Sequence, residues 1–210
     1  MSSEPTPMPT PAPMRFTVVA RLLHWTMAVM VIAVLFIGVF MVTSIADFSF
    51  LVSIHEPLGI AIFIFVLARI GWRLTHSPPP FPPGMGPLDR LAAKYSERLL
   101  YALLFCQPLI GWAMLSASGQ PIVLFGSLHL PAIAPQNITL FANLLRAHIV
   151  AAYLLYLTFA THLAGVLLHT IVMRDRVLDR MAFWDTPKSS RVAVDGQRSV
   201  SSSRNNPAGS

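Results

Sequence analysis

The chain alternates between four long apolar runs and short, more polar connections. A helix needs about 20 consecutive apolar residues to cross the hydrocarbon core of a bilayer, and each run approaches or exceeds that length. The pattern therefore predicts an all-α fold, an integral membrane four-helix bundle. The predicted helices cover residues 16–43, 52–73, 99–116 and 144–173.

Helix-breaking residues are concentrated in two of the connections. The segment THSPPPFPPGMGP after the second helix is predicted to be non-helical, and residues 89–98 beyond it are interpreted as an amphipathic re-entry. Residues 117–143 contain several Gly and Pro residues and no Lys or Arg, which predicts a cap on the membrane surface. Pro57 is assigned to the first turn of the second helix, where its missing N–H is tolerated.

Both ends of the chain are polar and compositionally biased. Residues 1–14, MSSEPTPMPTPAPM, are Pro-rich and lack the basic and apolar regions of a secretory signal, so they are predicted to be a disordered arm. Residues 183–210 are Ser-rich and basic and are predicted to be a disordered cytoplasmic tail. Residues 15–182 form the predicted membrane domain, without an internal repeat or a second domain.

Composition supports the membrane assignment and indicates an orientation. The chain is 54% apolar and only 11% charged, against about 25% charged in soluble domains. Of its 15 Lys and Arg residues, all except Arg146 fall on one side of the predicted bundle. The positive-inside rule therefore places both termini in the cytoplasm, and the net charge of +6 reflects topology rather than binding to nucleic acid.

Five histidines lie within the apolar runs, where an ionisable side chain is costly and is a functional candidate by default, and the spacing of four of them is informative. In the fourth run, His148 and His162 are 14 residues apart, which returns to nearly the same helix face after a rise of about 21 Å. Neutral imidazole is the commonest metal ligand and a standard axial ligand of haem iron. The spacing predicts two haems between the helices, one toward each membrane surface. Without a CxxCH motif in the sequence, both would be held non-covalently.

The predicted topology sorts these four histidines into two pairs of equal depth. His55 and His148 each lie about 5 Å below the outer surface by helical rise, whereas His24 and His162 both lie about 26–30 Å below it. Histidines that merely join helices by hydrogen bonds are the alternative. That reading is weaker, because such contacts typically contribute only about 0.6 kcal/mol.

Three further histidines are less informative. His169 lies seven residues beyond His162 on nearly the same face of the fourth helix, and either reaches the interface or helps to hold a quinone head group. His76 and His129 lie in connections and are predicted to be solvated or capping residues.

Several other residues border the two pairs. Arg146 is near the outer pair and three arginines are near the inner one, so each is a candidate partner for haem propionates, with membrane anchoring as the alternative. Small residues beside the ligands leave room for a flat macrocycle, although ordinary helix packing explains them as well. The inner arginines are Arg21, Arg69 and Arg73, and the small residues are Gly59, Gly165, Ala151 and Ala152.

Four segments of the chain carry a family resemblance. They are RLLHWTMA, HEPLGIAIFIFVLARIGWRL, PIVLFGSLHLP and RAHIVAAYLLYLTFATHLAGVLLHTIVMRDRVLDRM. Over residues 14–182 the chain resembles the bacterial cytochrome b561 family. The resemblance implies a protein of the bacterial inner membrane with two b-type haems, ligated by His24 with His162 and by His55 with His148.

With both axial positions occupied by imidazole, the iron has no open site, so no catalytic residue is expected at the metal. The favoured function is one-electron transfer across the membrane. The resemblance also implies that these electrons are exchanged with quinone. Two alternatives stay open: a haem-bearing membrane anchor of a larger oxidoreductase, and a non-redox transporter or assembly factor. Besides lipid and quinone, a periplasmic or membrane redox partner and a homodimer are compatible with the sequence.

The same reasoning predicts where quinone binds. The inner pair is surrounded by arginines and by His169, which can donate hydrogen bonds to a quinone oxygen or supply a proton. A pocket under the loop from Gly119 to Pro135, over the outer pair, is the alternative. The cytoplasmic side is therefore the predicted quinone side.

Overall fold

The computed structural model of the chain describes residues 15–81, 85–124, 126–173 and 178–183. Its body consists of four helices, α1 (Val18–Thr43), α2 (Phe48–Thr75), α3 (Pro87–Ser118) and α4 (Ile138–Leu167). All four are long and apolar enough to span a membrane, which confirms the predicted membrane four-helix bundle. The predicted arm and nearly all of the predicted tail lie outside the described residues.

The second helix begins earlier than the apolar pattern indicates. Its connection to α1 is residues 44–47, where the Ser44 hydroxyl donates to the Asp47 carboxylate at 2.7 Å. Because α2 starts at Phe48, Pro57 is the tenth residue of the helix, and its assignment to the first turn is wrong.

The third and fourth helices also begin earlier than predicted, at Pro87 and Ile138. Residues 89–98 are continuous with α3 rather than a separate re-entry, because this amphipathic stretch is helical but too polar to register as an apolar run. α4 begins at Ile138, where the Asn137 side chain accepts a hydrogen bond from the Leu140 N–H at 2.9 Å. Beyond α4 the helix continues as a π turn over Leu168–Val172.

A short β-hairpin, which the sequence pattern did not predict, occupies the connection between α3 and α4. Strands β1 (Ile122–Leu124) and β2 (Leu128–Leu130) are antiparallel. The hairpin connection is fixed to the helices because the Trp112 indole donates to the Pro131 carbonyl at 2.9 Å. The Asn137 N–H also donates to the Ala117 carbonyl at 3.0 Å. We call this end of the bundle the hairpin end.

The opposite end is closed by residues 178–183, which we call the clasp. The Arg21 guanidinium donates to the Ala182 carbonyl at 2.7 Å, and the Trp25 indole donates to the Met181 carbonyl at 2.9 Å. Arg180 donates to the carbonyls of two prolines in the α2–α3 connection, at 3.0 and 2.6 Å. The clasp therefore joins the start of α1 to the end of α2, and this end is the clasp end.

The interior of the bundle is apolar and is supplied by all four helices. Its buried side chains are Met27, Val31, Leu35, Ile62, Val66, Leu103, Leu104 and Leu155. The exposed faces are apolar too, as expected of helices surrounded by lipid rather than by water.

Candidate functional site

The outer pair of predicted ligands meets between α2 and α4. The ring centroids of His55 and His148 are 6.2 Å apart, with their planes inclined at 68°. They are the eighth and eleventh residues of their helices, so both are further from the helix starts than the sequence pattern suggested. The structure nevertheless brings the two members of this pair together.

The geometry of the outer pair fits one metal ion held between two imidazoles. With a metal–nitrogen bond of about 2.0 Å and a ring radius of about 1.1 Å, opposed imidazoles have centroids about 6.3 Å apart. The Nδ1 atoms of His55 and His148 are buried and form no hydrogen bond within the described residues. Two imidazoles buried in this way are costly unless a bound group compensates for their desolvation. Their role as haem ligands stays a prediction that this geometry supports.

Helix α3, which supplies no predicted ligand, also touches the outer pair. The Gln107 amide donates to the His148 carbonyl at 2.9 Å. A Cβ at Gly111 would lie 3.3 Å from His148 Cε1, so this glycine lies directly against the ring. Sequence reasoning missed both residues, although a glutamine inside an apolar run is a signal that a polar partner is nearby.

The inner pair lies toward the clasp end, between α1 and α4. His24 and His162 are within electrostatic interaction distance of each other, and both are within that distance of Arg69. The Trp25 ring packs edge-on against His24, with centroids 5.7 Å apart. The indole that anchors the clasp therefore also borders a predicted ligand.

The three inner arginines differ in their partners. Arg73 forms a bidentate ion pair with Glu97, at 2.6 and 3.0 Å, so its charge is already balanced. Arg69 Nε donates to the neutral Tyr101 hydroxyl at 2.7 Å, and Arg21 donates to a clasp carbonyl. Arg69 and Arg21 are therefore better suited than Arg73 to an anionic group such as a haem propionate.

Arg146 and two glycines also border the predicted ligands. Arg146 is exposed on α4, two residues before His148. A Cβ at Gly59 or at Gly165 would meet no atom within 4 Å, which is compatible with a flat group beside these glycines.

The position of His169 does not agree with the interpretation that its side chain reaches out to the membrane interface. It lies in the π turn and is only 8% exposed. His76 and His129 are exposed, as predicted. His76 hydrogen-bonds the Thr75 hydroxyl at 2.8 Å, and His129 Nδ1 lies 3.1 Å from the Ser127 carbonyl oxygen.

A cavity of about 350 Å³ opens at the clasp end between α1 and α2. Its most distinctive wall is the Trp72 ring, which stacks on His76 at a centroid distance of 3.9 Å. Beside the clasp, Arg180 is buried, and burial lowers the pKa of its guanidinium, which nevertheless stays protonated in proteins. The cavity is lined by Arg15, Phe16, Thr17, Ala20, Arg69, Trp72, Arg73, His76, Ser77, Pro78, Pro79 and Met181.

Comparison with known proteins decides the family. The model of the family described as prokaryotic cytochrome b561 matches residues 15–184. The chain belongs to the prokaryotic cytochrome b561 family. Membership confirms the resemblance read from the sequence and identifies a multi-pass bacterial membrane protein. It also implies that the protein binds haem b. The alternative hypothesis of a non-redox transporter does not explain haem binding.

Two relatives show the extent of the similarity. The chain is 35% identical to "Cytochrome b561 homolog 2" of Escherichia coli (strain K12) over 127 residues, which are 59% of this chain and 67% of that protein. It is 32% identical to "Probable superoxide oxidase CybB" of Yersinia pestis over 128 residues, which are 61% of this chain and 72% of that protein.

Proposed function

We propose that this member of the cytochrome b561 family is a di-haem cytochrome that carries single electrons across the membrane and exchanges them with quinone. The observation that carries the proposal is the pairing of four histidines at two depths. His55 and His148 lie 6.2 Å apart between ring centroids, and His24 lies near His162. Haem b held by two imidazoles supplies a one-electron couple without an open coordination position.

The helical rise between the two pairs is comparable to most of the thickness of a membrane core. Along α4, His148 and His162 are 14 residues apart, a rise of about 21 Å against a hydrocarbon core of about 30 Å. Leu155, midway between them, is only 3% exposed, and the apolar interior around it contains Val31 and Val66. These side chains exclude water between the pairs, so charge that moves from one pair to the other crosses a low-dielectric layer.

We place quinone exchange at the clasp end, in the cavity beside Arg69 and Trp72. The cavity volume of about 350 Å³ falls within the usual range for small-molecule sites, about 300–1,000 Å³. Trp72 supplies an apolar aromatic wall, and the Arg69 guanidinium is a charged donor for a quinone oxygen. Arg69 is also within electrostatic range of both inner histidines, which links the cavity to the inner pair.

The quinone site is tested by comparing one variant from each end of the bundle. We expect Arg69→Gln to slow quinone-linked reoxidation of the haems about tenfold, because it removes a charge-assisted hydrogen bond worth about 1.5 kcal/mol. His129→Ala, at the hairpin end, should leave the rate unchanged. The measurement is stopped-flow absorbance of dithionite-reduced protein mixed with a soluble quinone, with haem content determined for each variant. Slowing in the His129 variant alone would place the site at the hairpin end.

Oxidation of superoxide is a second candidate function, suggested by the relative named "Probable superoxide oxidase CybB". Superoxide would transfer one electron to the haem held by the outer pair and leave as dioxygen, and two such electrons, with two protons, would reduce one quinone to quinol at the clasp end. The exposed Arg146, two residues from His148, is the feature of the described outer residues that favours an anionic donor. Reduction of the haems by superoxide in the purified protein distinguishes this donor from others.

A further inference from the structure

Helix α3 contacts His148 of the outer pair at two positions, Gln107 and Gly111. Gln107 and Gly111 are four residues apart on α3, so they face α4 on the same side, one turn above the other. Gln107 Nε2 donates to the His148 backbone carbonyl at 2.9 Å. A Cβ at Gly111 would lie 3.3 Å from Cε1 and 3.6 Å from Nδ1 of the same imidazole.

We infer that α3, although it carries none of the predicted ligands, sets the orientation of the His148 imidazole through Gly111 and Gln107. Gly111 allows the ring to lie against the α3 backbone, because a Cβ at this position would require the ring to move by a few tenths of an ångström. Gln107 fixes the rotation of α4 at His148 by binding its carbonyl. The inference rests on the proposed role of His148 as a haem ligand, and it adds two positioning residues to that site.

The buried polar atoms at this contact support a specific arrangement. Gln107 Oε1 and His148 Nδ1 are both buried and form no hydrogen bond within the described residues. A glutamine whose carbonyl oxygen is left unsatisfied in an apolar interior is destabilising by itself, by roughly 1–3 kcal/mol. Its presence is explained if the amide is needed to hold His148. Ordinary packing of α3 against α4 would be served at least as well by an apolar side chain of similar size.

The orientation of the ring has a direct spectroscopic consequence. The electron paramagnetic resonance (EPR) signal of a low-spin ferric haem held by two imidazoles would depend on the angle between the imidazole planes, and the rings of His55 and His148 are inclined at 68°. The reduction potential depends on the surroundings of the ligands as well. A purely structural role for Gly111 would change the stability of the bundle without selecting one haem.

The test uses the full-length holoprotein and three variants. Gly111→Ala adds a methyl group against the ring, and Gln107→Leu removes the hydrogen bond without adding atoms there. Gly71→Ala is the matched control, since it is a helical glycine on α2 whose Cβ would meet no atom within 4 Å. For each protein the EPR spectrum, the midpoint potentials and the haem content are measured, and His148→Ala identifies the outer haem.

We expect Gly111→Ala to shift the EPR signal and the midpoint potential of the outer haem alone, or to lose that haem selectively. Gln107→Leu should shift the same signal by a smaller amount, and Gly71→Ala should match the parent protein. Unchanged spectra and potentials in both α3 variants, or changes confined to the inner haem, would overturn the inference. If Gly111→Ala does not assemble, the Gln107→Leu result decides. A parent protein without haem at His148 would instead contradict the proposed function.

Discussion

Replacing His55 or His148 with alanine is expected to remove one and the same haem, and replacing His24 or His162 to remove the other. Each replacement would leave only one of the two histidines that hold that haem, and the pairs are separated by about 21 Å along α4, too far for one histidine to serve the other site. Haem content should fall from two per chain to one in each of the four variants. Pyridine haemochrome assays give the content, and redox titration shows which potential is lost.

The pairing is tested by comparing the residual haem spectra of the four variants. His55→Ala and His148→Ala should have the same residual spectrum, which differs from that shared by His24→Ala and His162→Ala. His129→Ala serves as the control, because this exposed histidine lies on the hairpin, outside both pairs. If His55→Ala and His24→Ala had the same residual spectrum, the proposed pairing of the histidines would be wrong.

The membrane potential should redistribute an electron between the two haems. Moving one charge across about 21 Å of a 30 Å core uses about 0.7 of the potential, or about 1.6 kcal/mol per 100 mV, which changes the electron's distribution about 15-fold. A potential that is negative inside drives the electron toward the outer haem if both termini are cytoplasmic. Absorbance of half-reduced protein in oriented vesicles, with a potassium diffusion potential imposed by valinomycin, measures this shift.

The sign and the size of that shift test different statements. A shift toward the inner haem would show that the chain has the opposite orientation to the one that the distribution of Lys and Arg indicates. A response much smaller than expected would show that the two haems lie at similar depths. The same vesicles without an imposed potential provide the baseline for both comparisons.

The pairing could be predicted from sequence even though the individual depths could not. α2 begins at residue 48 rather than 52, and α4 at residue 138 rather than 144. Because both helices extend in the same direction at the hairpin end, the errors for His55 and His148 largely cancel, leaving a relative error of about 3 Å. Matching two histidines by depth therefore requires that the predicted starts of their helices be in error by similar amounts, and it does not require that each start be accurate.

Contacts between distant segments could not be read from the sequence pattern. The hairpin consists of two three-residue strands, too short for an alternating pattern to stand out in a Gly- and Pro-rich connection. Gly111 gave no signal, because glycine is frequent in membrane helices. The position of Arg21 in the sequence makes it a candidate partner for haem propionates, but it does not show that Arg21 also donates a hydrogen bond to the Ala182 carbonyl of the clasp.

The contacts of the clasp can form only late in the synthesis of the protein. Arg21 and Trp25 are near the start of α1, whereas the carbonyls they bind belong to residues 181 and 182, which follow all four helices. Since a polypeptide is synthesised from its N-terminus, these two side chains remain without their partners until the last membrane helix has left the ribosome. The end of the bundle beside His24 is therefore closed last, and cofactor insertion at the inner pair can follow insertion of every helix into the membrane.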